Sequence, residues 1–513
     1  MDEDRRRRCR SDEDCISGLP DELLHGILLR LGSARAAART TALSRRWRRV
    51  WPGLPELVLD SCPDAPPPPP ASFLDTVDAA LAAYSSSSLA RLCIALPPAV
   101  DLVVSADRAA PWLRFAADRA AAELCLFVPP HFTAPPEPPE EDLDEEEEGD
   151  NHTAAWEELE LPAWRGAKTV RLCLQDAWRL RPPAGVFASL TGLMILFGRV
   201  DAGELETLVS MQCPCLRDLR LQLTLIEAAD VSIHSDSLRS LWLCIWNSWR
   251  LVVVAPGLEK LSLHYALQVR VSAPKLEELA WRGRGTAYDP QHHEFDEDVG
   301  RRLRLLEMDM YSTVSSFAQR FDEAEELKLV MSILWVRVLL KEAGYDSFLN
   351  GTKKLPKCRT LSLNLLEWRN HSLAQAMLHL FRRCQSVEKV SIWLRCFDED
   401  SKSSCPSTCP CRLAENQRID DINLSSLEVV EISSFTSSHE ELDFLEQLSR
   451  CSATSLRKLV INYNKKRSRT PLETKEACQK IRSMYPPNVE VEFYVLRGGR
   501  QVRFDWRLVK NVK

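Results

Sequence analysis

A six-residue pattern, apolar-x-x-apolar-x-apolar, recurs along most of the chain and constrains its fold more than any other feature. The clearest copies are Leu216-Arg-Asp-Leu219-Arg-Leu221, Leu238-Arg-Ser-Leu241-Trp-Leu243, Leu258-Glu-Lys-Leu261-Ser-Leu263 and Leu276-Glu-Glu-Leu279-Ala-Trp281. Looser copies start near Leu89, Ala121, Ala167, Leu190, Leu303, Ala324, Cys358, Val387, Leu427 and Leu456. The last two apolar residues of a copy flank a polar one, as a strand with one buried face requires, and the first closes the preceding turn. One copy alone buries little. Stacked as parallel strands, successive copies pair their backbones and share a continuous core.

Longer amphipathic stretches separate the strands. Ser372 to Arg383, with Leu373, Met377, Leu378 and Phe381 on one face, is of helical type. The pattern therefore predicts an α/β chain: an irregular solenoid with parallel strands on its concave face and helices on its convex face. The chain has 513 residues, 45% of them hydrophobic, which is ample for such a body and a small extra module.

That module stands near the start. Between Cys15 and Leu31, the residues Leu19, Leu23, Leu24, Ile27, Leu28 and Leu31 recur at helical spacing on a single broad face. Pro20 suits the first helical position, and Asp21 and Glu22 complement the positive end of the helix dipole. Ser33 is placed to cap a second helix running to Leu43. Ser44 is placed to cap a third, with Trp47 and Trp51 on one side. So short a unit offers more large apolar side chains than its interior can hold, which predicts a partner.

The run Ile16-Ser17-x-Leu19-Pro20-Asp21-x-Leu23-Leu24-x-x-Ile27-Leu28, with Arg39-Thr40-Thr41-x-Leu43-Ser44-Arg45-Arg46-Trp47-Arg48-x-x-Trp51 behind it, resembles the plant F-box signature. The departures are Leu29, where Ser is frequent, and Thr41 in place of a common Ser; neither removes an apolar anchor. The resemblance implies docking on a Skp-family adaptor, which a cullin scaffold holds near a RING subunit. The implied contact set is Leu19, Pro20, Leu23, Leu24, Ile27, Leu28, Leu31, Leu43, Trp47 and Trp51.

The remainder is similar to the plant F-box/leucine-rich-repeat group, with Trp51-x-x-Leu54-Pro55-x-Leu57-x-Leu59-Asp60, Cys213-Pro214-x-Leu216, Ala255-Pro256-x-Leu258 and Ala273-Pro274-x-Leu276 as its usual turns. Leu427 to Phe435, an acidic helical stretch through Leu442, Phe444, Leu445 and Leu448, and Leu456 to Ile461 are similar to the FBD region that ends many such proteins. The organisation expected is a charged tail over 1–14, an F-box over 15–60, repeats over 61–420 and an FBD-like unit over 421–500. The repeats are interrupted by a Pro-rich stretch at 66–70, an acidic one at 135–150 and a Ser/Cys-rich one at 401–411.

The implied function is that of the substrate-recognition subunit of an SCF-type E3 ubiquitin ligase, with the repeats binding the target protein. The alternative is a leucine-rich interaction scaffold or ligand receptor that assembles no ligase. No phosphate-cradling glycine loop or G-x-S-x-G elbow occurs, so the sequence predicts neither an enzyme nor a cofactor. A net charge of −7 supplies no global attraction to nucleic acid or anionic lipid, and the arginines of Arg45 to Arg49 read as a solvated face.

No apolar run approaches the ~18 residues of a spanning helix. Nuclear or cytoplasmic residence is expected, with Arg5 to Arg8 as an import patch. Seventeen cysteines scattered singly through apolar segments read as reduced thiols. Cys405-x-x-x-Cys409-x-Cys411, with Cys396 upstream, has a loose zinc-like spacing, but surface-loop cysteines are the expectation. His292-His293-Glu294 reads as a polar loop. Trp242, Trp246 and Trp249 raise a small-molecule site against ordinary packing between repeats, and packing is expected.

Overall fold

In every copy of the six-residue pattern a strand starts two residues after the first apolar position. The starts are Asp218, Ser240, Lys260 and Glu278 in the four clear copies, and the looser ones follow from Arg91 after Leu89 to Lys458 after Leu456. The first position closes a turn, as Leu216 N–H does on Cys213 O at 3.2 Å and Leu276 N–H on Ala273 O at 3.1 Å. All three apolar positions of the clear copies are buried.

This is a computed structural model, and it describes residues 19–31, 46–60, 70–97, 103–130, 156–282, 288–300, 303–309, 314–333, 345–368, 372–394, 409, 411, 422–464, 471–497 and 500–508. The charged tail, the acidic stretch, Leu43 and nearly all of the Pro-rich and Ser/Cys-rich stretches lie outside the described residues. The chain divides into two compact units, Met1–Gly257 and Leu258–Lys513, at a point inside the run of clear repeats.

In the first unit the helices are α1 (Asp21–Leu29), α2 (Trp47–Val50), α3 (Pro70–Ala83), α4 (Ala106–Asp118) and α5 (Ala202–Thr207). Its strands are β1 (Glu56–Leu59), β2 (Arg91–Ala95), β3 (Glu123–Phe127), β4 (Glu157–Glu160), β5 (Thr169–Cys173), β6 (Trp178–Arg181), β7 (Gly192–Val200), β8 (Asp218–His234) and β9 (Ser240–Val254). A parallel ladder runs β1-β2-β3-β5-β7-β8-β9 in direct register, with Leu92 opposite Leu124 and Leu219 opposite Leu241.

A second parallel series lies on the returning legs of these repeats. β4 pairs with β6, Arg179 of β6 meets Arg199 at the end of β7, and Val231 to His234 of β8 pair with Leu251 to Val254 of β9. Helices were expected on these legs. They are strands because Trp178–Arg181 carries period-two burial, with Trp178 and Leu180 inward, and pairs with Glu157–Glu160, whose Leu159 is buried, and both are too short for a helical face.

The long strands serve both series by bending. β7 turns at Phe197 (φ 62°) and Gly198 (φ 79°), and β9 at Asn247 (φ 64°), whose Nδ2 donates to Leu225 O at 3.2 Å. A Cβ on Gly198 would lie 3.1 Å from Leu174 Cδ1 and 3.3 Å from Trp178 O, so both dihedral and space call for glycine there.

The second unit has strands β10 (Lys260–His264), β11 (Gln268–Ser272), β12 (Glu278–Arg282), β13 (His293–Phe295), β14 (Leu305–Asp309), β15 (Glu326–Ile333), β16 (Thr360–Trp368), β17 (Lys389–Leu394), β18 (Val429–Phe435), β19 (Lys458–Tyr463), β20 (Glu490–Arg497) and β21 (Arg500–Arg503). Its helices are α6 (Val314–Arg320), α7 (Tyr345–Gly351), α8 (Leu373–Phe381), α9 (His439–Arg450) and α10 (Pro471–Met484).

A parallel ladder runs β10-β12-β14-β15-β16-β17-β18-β19-β20, and β21 folds back antiparallel on β20. Parallel β11 and β13 form the returning series here. Helices return the chain later. In α8, expected to be amphipathic, all nine residues are buried, Gln375 and His379 included: Phe348 of α7 and Thr352, 2.9 Å from His379 Nε2, cover His379, while α9 packs on Phe381 through Phe444.

One backbone device repeats in both units. The carbonyl of the residue just ahead of a strand accepts two N–H groups from the next repeat: Thr191 O from Arg217 and Asp218, Arg217 O from Arg239 and Ser240, Glu259 O from Glu277 and Glu278, Glu388 O from Glu428 and Val429. The donors lie 2.7–3.2 Å away in these and the equivalent pairs at Arg304/Glu326, Glu428/Arg457 and Glu428/Lys458.

Gly198→Ala is expected to lower unfolding stability by about 1–3 kcal/mol, the cost of a side chain forced into left-handed backbone. Urea unfolding followed by tryptophan fluorescence measures it, and an unchanged midpoint would mean that β7 does not need this bend.

Candidate docking surface

Helix α1 is short, and its faces have opposite fates. Leu24 and Leu28, one turn apart, are 0% and 1% exposed and form a small core with Val50 and Leu54; Leu19, Leu29 and Trp51 pack around it. Leu23 and Ile27, also one turn apart but about 100° around the helix, are 56% and 40% exposed, and Leu31, in the turn just past the helix end, is 46% exposed. The broad apolar face expected from sequence is thus divided into an inner pair and an outer stripe.

Several contacts hold α1 in that orientation. Leu23 and Leu24 N–H donate to Pro20 O at 3.1 Å, so Pro20 stands just ahead of the helix, exposed, rather than as its first residue. Arg46 Nη2 pairs with Asp21 Oδ1 at 2.5 Å, and His25 Nε2 lies 3.0 Å from Val50 O. The Arg46–Asp21 pair is solvated and worth little in stability, though it sets the angle at which α2 meets α1.

The expected third helix is one turn long. It spans Trp47–Val50, with Arg46 rather than Ser44 in the capping position, and Trp51 passes into a 3-10 turn over Trp51–Gly53 where Pro52 ends the regular helix. The side chain of Trp47, the expected second helix and Leu43 lie outside the described residues. Tyr84 Oη donates to Leu54 O at 2.7 Å and Ser85 N–H to Pro52 O at 3.0 Å, which ties the end of this module to the segment after α3.

The outer stripe has no partner within the described residues, and water contact there is costly. These side chains are already about half covered, so covering the rest would return roughly 1 kcal/mol each.

The open face of the first unit's ladder is the second feature of note. Direct register sets Cys93, Cys125, Arg171, Met194, Arg220 and Trp242 in one row across β2, β3, β5, β7, β8 and β9. The Arg220 guanidinium lies 4.5 Å from the Trp242 ring, beside an open depression of about 460 Å³ that Thr169, Asp218 and Ser240 also line. Trp249 is exposed beyond the bend at Asn247.

Two sequence expectations are corrected. His293 is not in a polar loop but buried in β13: its Nδ1 accepts from Asp289 N–H at 2.9 Å, its Nε2 lies 3.1 Å from Leu267 O, and Trp281 packs on its ring. Burial pushes its pKa down, which keeps the ring neutral. Cys409 and Cys411 are buried rather than at the surface, with sulfurs 3.3 Å apart. Cys396 and Cys405 lie outside the described residues, and among those described no three His, Cys, Asp or Glu side chains are grouped to hold a metal ion.

Residues 109–336 match the family described as FBD-associated F-box protein At5g56370, LRR repeats. The chain is 37% identical over 136 residues to the MEIOTIC F-BOX protein MOF of Oryza sativa subsp. japonica, a match covering 25% of this chain and 28% of that protein. To F-box/FBD/LRR-repeat protein At5g22660 of Arabidopsis thaliana it is 28% identical over 273 residues, 50% of this chain and 53% of the other. To F-box/LRR-repeat protein 25 of Arabidopsis thaliana it is 48% identical over 48 residues, 9% and 19% of the two chains. The chain thus spans between a fifth and about half of the length of these relatives. The likeness to plant F-box, leucine-rich-repeat and FBD proteins that the sequence motifs carry is upheld.

Leu24→Ala is expected to destabilise the α1 module by about 2–5 kcal/mol and Leu23→Ala by no more than about 0.5 kcal/mol. Limited proteolysis near residues 19–60 against denaturant reads the difference. Equal sensitivity of the two variants would contradict the inner and outer assignment.

Proposed function

We propose that this chain, whose residues 109–336 match the leucine-rich-repeat family of FBD-associated F-box proteins, is the substrate-recognition subunit of an SCF-type E3 ubiquitin ligase. In this reading residues 15–60 form the three-helix F-box and dock on a Skp-family adaptor, which links the chain to cullin and RING subunits. The leucine-rich repeats of each unit are a solenoid segment that holds the target protein on its open strand face.

The observation that carries the reading is the apolar stripe of Leu23 and Ile27, one turn apart on α1, continued by Leu31 in the turn just past its end, all three partly open to water. Such a surface is the shape another helix covers, since side chains at i, i+4 and i+8 fill the groove between neighbouring helices. Leu24 and Leu28 then contribute by fixing the helix, while Leu19, Pro20 and Trp51 stand at its margins. The exposed row ending in Arg220 and Trp242, and Trp393, exposed on β17, are groups suited to a protein target.

No chemistry by the chain itself is required. Holding a target near a charged conjugating enzyme raises its effective concentration, which is the adaptor's whole contribution. Residence in the nucleus, the cytoplasm or both accords with this reading.

The test is co-purification of the full chain with a Skp-family adaptor, wild type against Leu23→Asp plus Ile27→Asp. Loss of two buried apolar contacts is expected to weaken binding by about 100-fold or more, while the unfolding midpoint stays near that of wild type because both positions are solvated. Failure of the intact chain to bind any adaptor would leave a leucine-rich scaffold as the better description.

A further inference from the structure

β2 and β3 each alternate between core and open face. Leu92 and Ile94 of β2 and Leu124 and Leu126 of β3 are buried, which turns Cys93 and Cys125 to the open side, both partly exposed. Direct register sets these two thiols opposite each other. Paired strands lie about 4.8 Å apart, inside the roughly 4.4–6.8 Å between Cα atoms that a disulfide spans. The Cα spacing is thus within the reach of a disulfide.

The surroundings treat the two sulfurs differently. Cys125 has Arg171 of β5 as its other in-register neighbour, and Arg91, two residues before Cys93, shares the open face. Glu56 and Glu123 hold Arg91 from either side at 3.9 and 3.8 Å, and Asp60 is the carboxylate that bears on Cys93. The facing Cys93, with Arg171 and Arg91, brings the Cys125 thiol down to about 7, while Cys93 itself is pushed up. Burial pushes Cys173 and Cys213 up to about 12 and Cys244 to about 11. Cys125 is thus the thiol of the pair whose cationic neighbours favour its thiolate, with Cys93 in register beside it, while burial disfavours ionisation of the other three.

We propose that Cys125 and Cys93 form an oxidisable dithiol on the open face of the first unit, with hydroperoxides as the oxidant class. The Cys125 sulfur attacks one peroxide oxygen, the O–O bond breaks, and the departing hydroxide takes a proton and leaves as water. Cys125 is left as a sulfenic acid. The Cys93 sulfur then attacks the Cys125 sulfur, the S–S bond forms, and the hydroxyl departs with the Cys93 proton as a second water. Two thiols lose two electrons in all and one hydrogen peroxide is reduced to two waters. The bond would place a covalent link across β2 and β3, in the row that carries Arg171, Arg220 and Trp242.

The test treats the full chain with hydrogen peroxide at neutral pH, blocks free thiols and maps peptides by mass spectrometry without reduction. The expected first product is the Cys93–Cys125 crosslink, ahead of any change at exposed Cys215. Cys93→Ser should accumulate Cys125 sulfenic acid, captured by a dimedone probe, and Cys125→Ser should leave Cys93 reduced. In the wild-type chain, alkylation of Cys125 should reach half its maximal rate near pH 7. Arg171→Gln, a change at an exposed position, should move that half-point upward. Oxidation of Cys215 as fast as Cys125, no 93–125 crosslink, or equal behaviour of the two serine variants would overturn the proposal.

Discussion

The carbonyl just ahead of most strands of the main ladders, accepting two N–H groups from the following repeat, is the contact on which the rest of each unit depends. In a parallel sheet a slip of one residue would exchange the buried and open faces of a whole strand. The doubled bond sits where the chain enters the strand and fixes that choice before any side chain packs. It keeps Leu219, Leu241, Leu261 and Leu279 inward, and by the same act lines up Cys93, Cys125, Arg171, Arg220 and Trp242 on the other side. Core and open face are two readings of one register.

The open side of the second unit shows the same constraint in charge. Glu307 is bracketed by Arg282 and by Lys328, at 3.1 Å, from the strands on either side, and Glu278 likewise by Lys260, at 3.2 Å, and Arg304. Glu492 meets Lys458 at 2.7 Å and Arg503 at 3.3 Å, and the Lys458 hydrogen bond holds its carboxyl below the ordinary range. A nearly buried carboxylate shared between two cations loses water but keeps its partners, which is the arrangement in which such charges persist. In α1 the same economy is apolar: inner leucines anchor the helix so that the outer ones are presented at a fixed spacing.

The strands of the main ladders were legible because three apolar residues at fixed offsets recur, and each copy supports the next. Short returning strands left no such trace. Glu157–Glu160 has one buried residue among three acids, and its strand state depends on β6 lying beside it. Periodicity in 19–31 showed an apolar helix but could not separate Leu24 from Leu23, since adjacent positions on a helix differ by only about 100° and the dividing line is drawn by Val50 and Leu54. His293 was misread because its neighbours in sequence are polar while its neighbours in space are Trp281, Tyr288 and Leu267. The facing thiols of β2 and β3 fall at equivalent positions of two loose repeats, so the sequence contained them, though only register shows that they meet.

The direct register between successive repeats also bears on how the chain acquires its structure during synthesis. Leu261 finds Leu279, and Val430 finds Leu459, one repeat further along the chain, so the loop that must close is short and its entropy cost modest. Within each unit a strand leaving the ribosome meets a partner already made. Assembly can then advance like a zipper, repeat by repeat, with each new turn templated by the last.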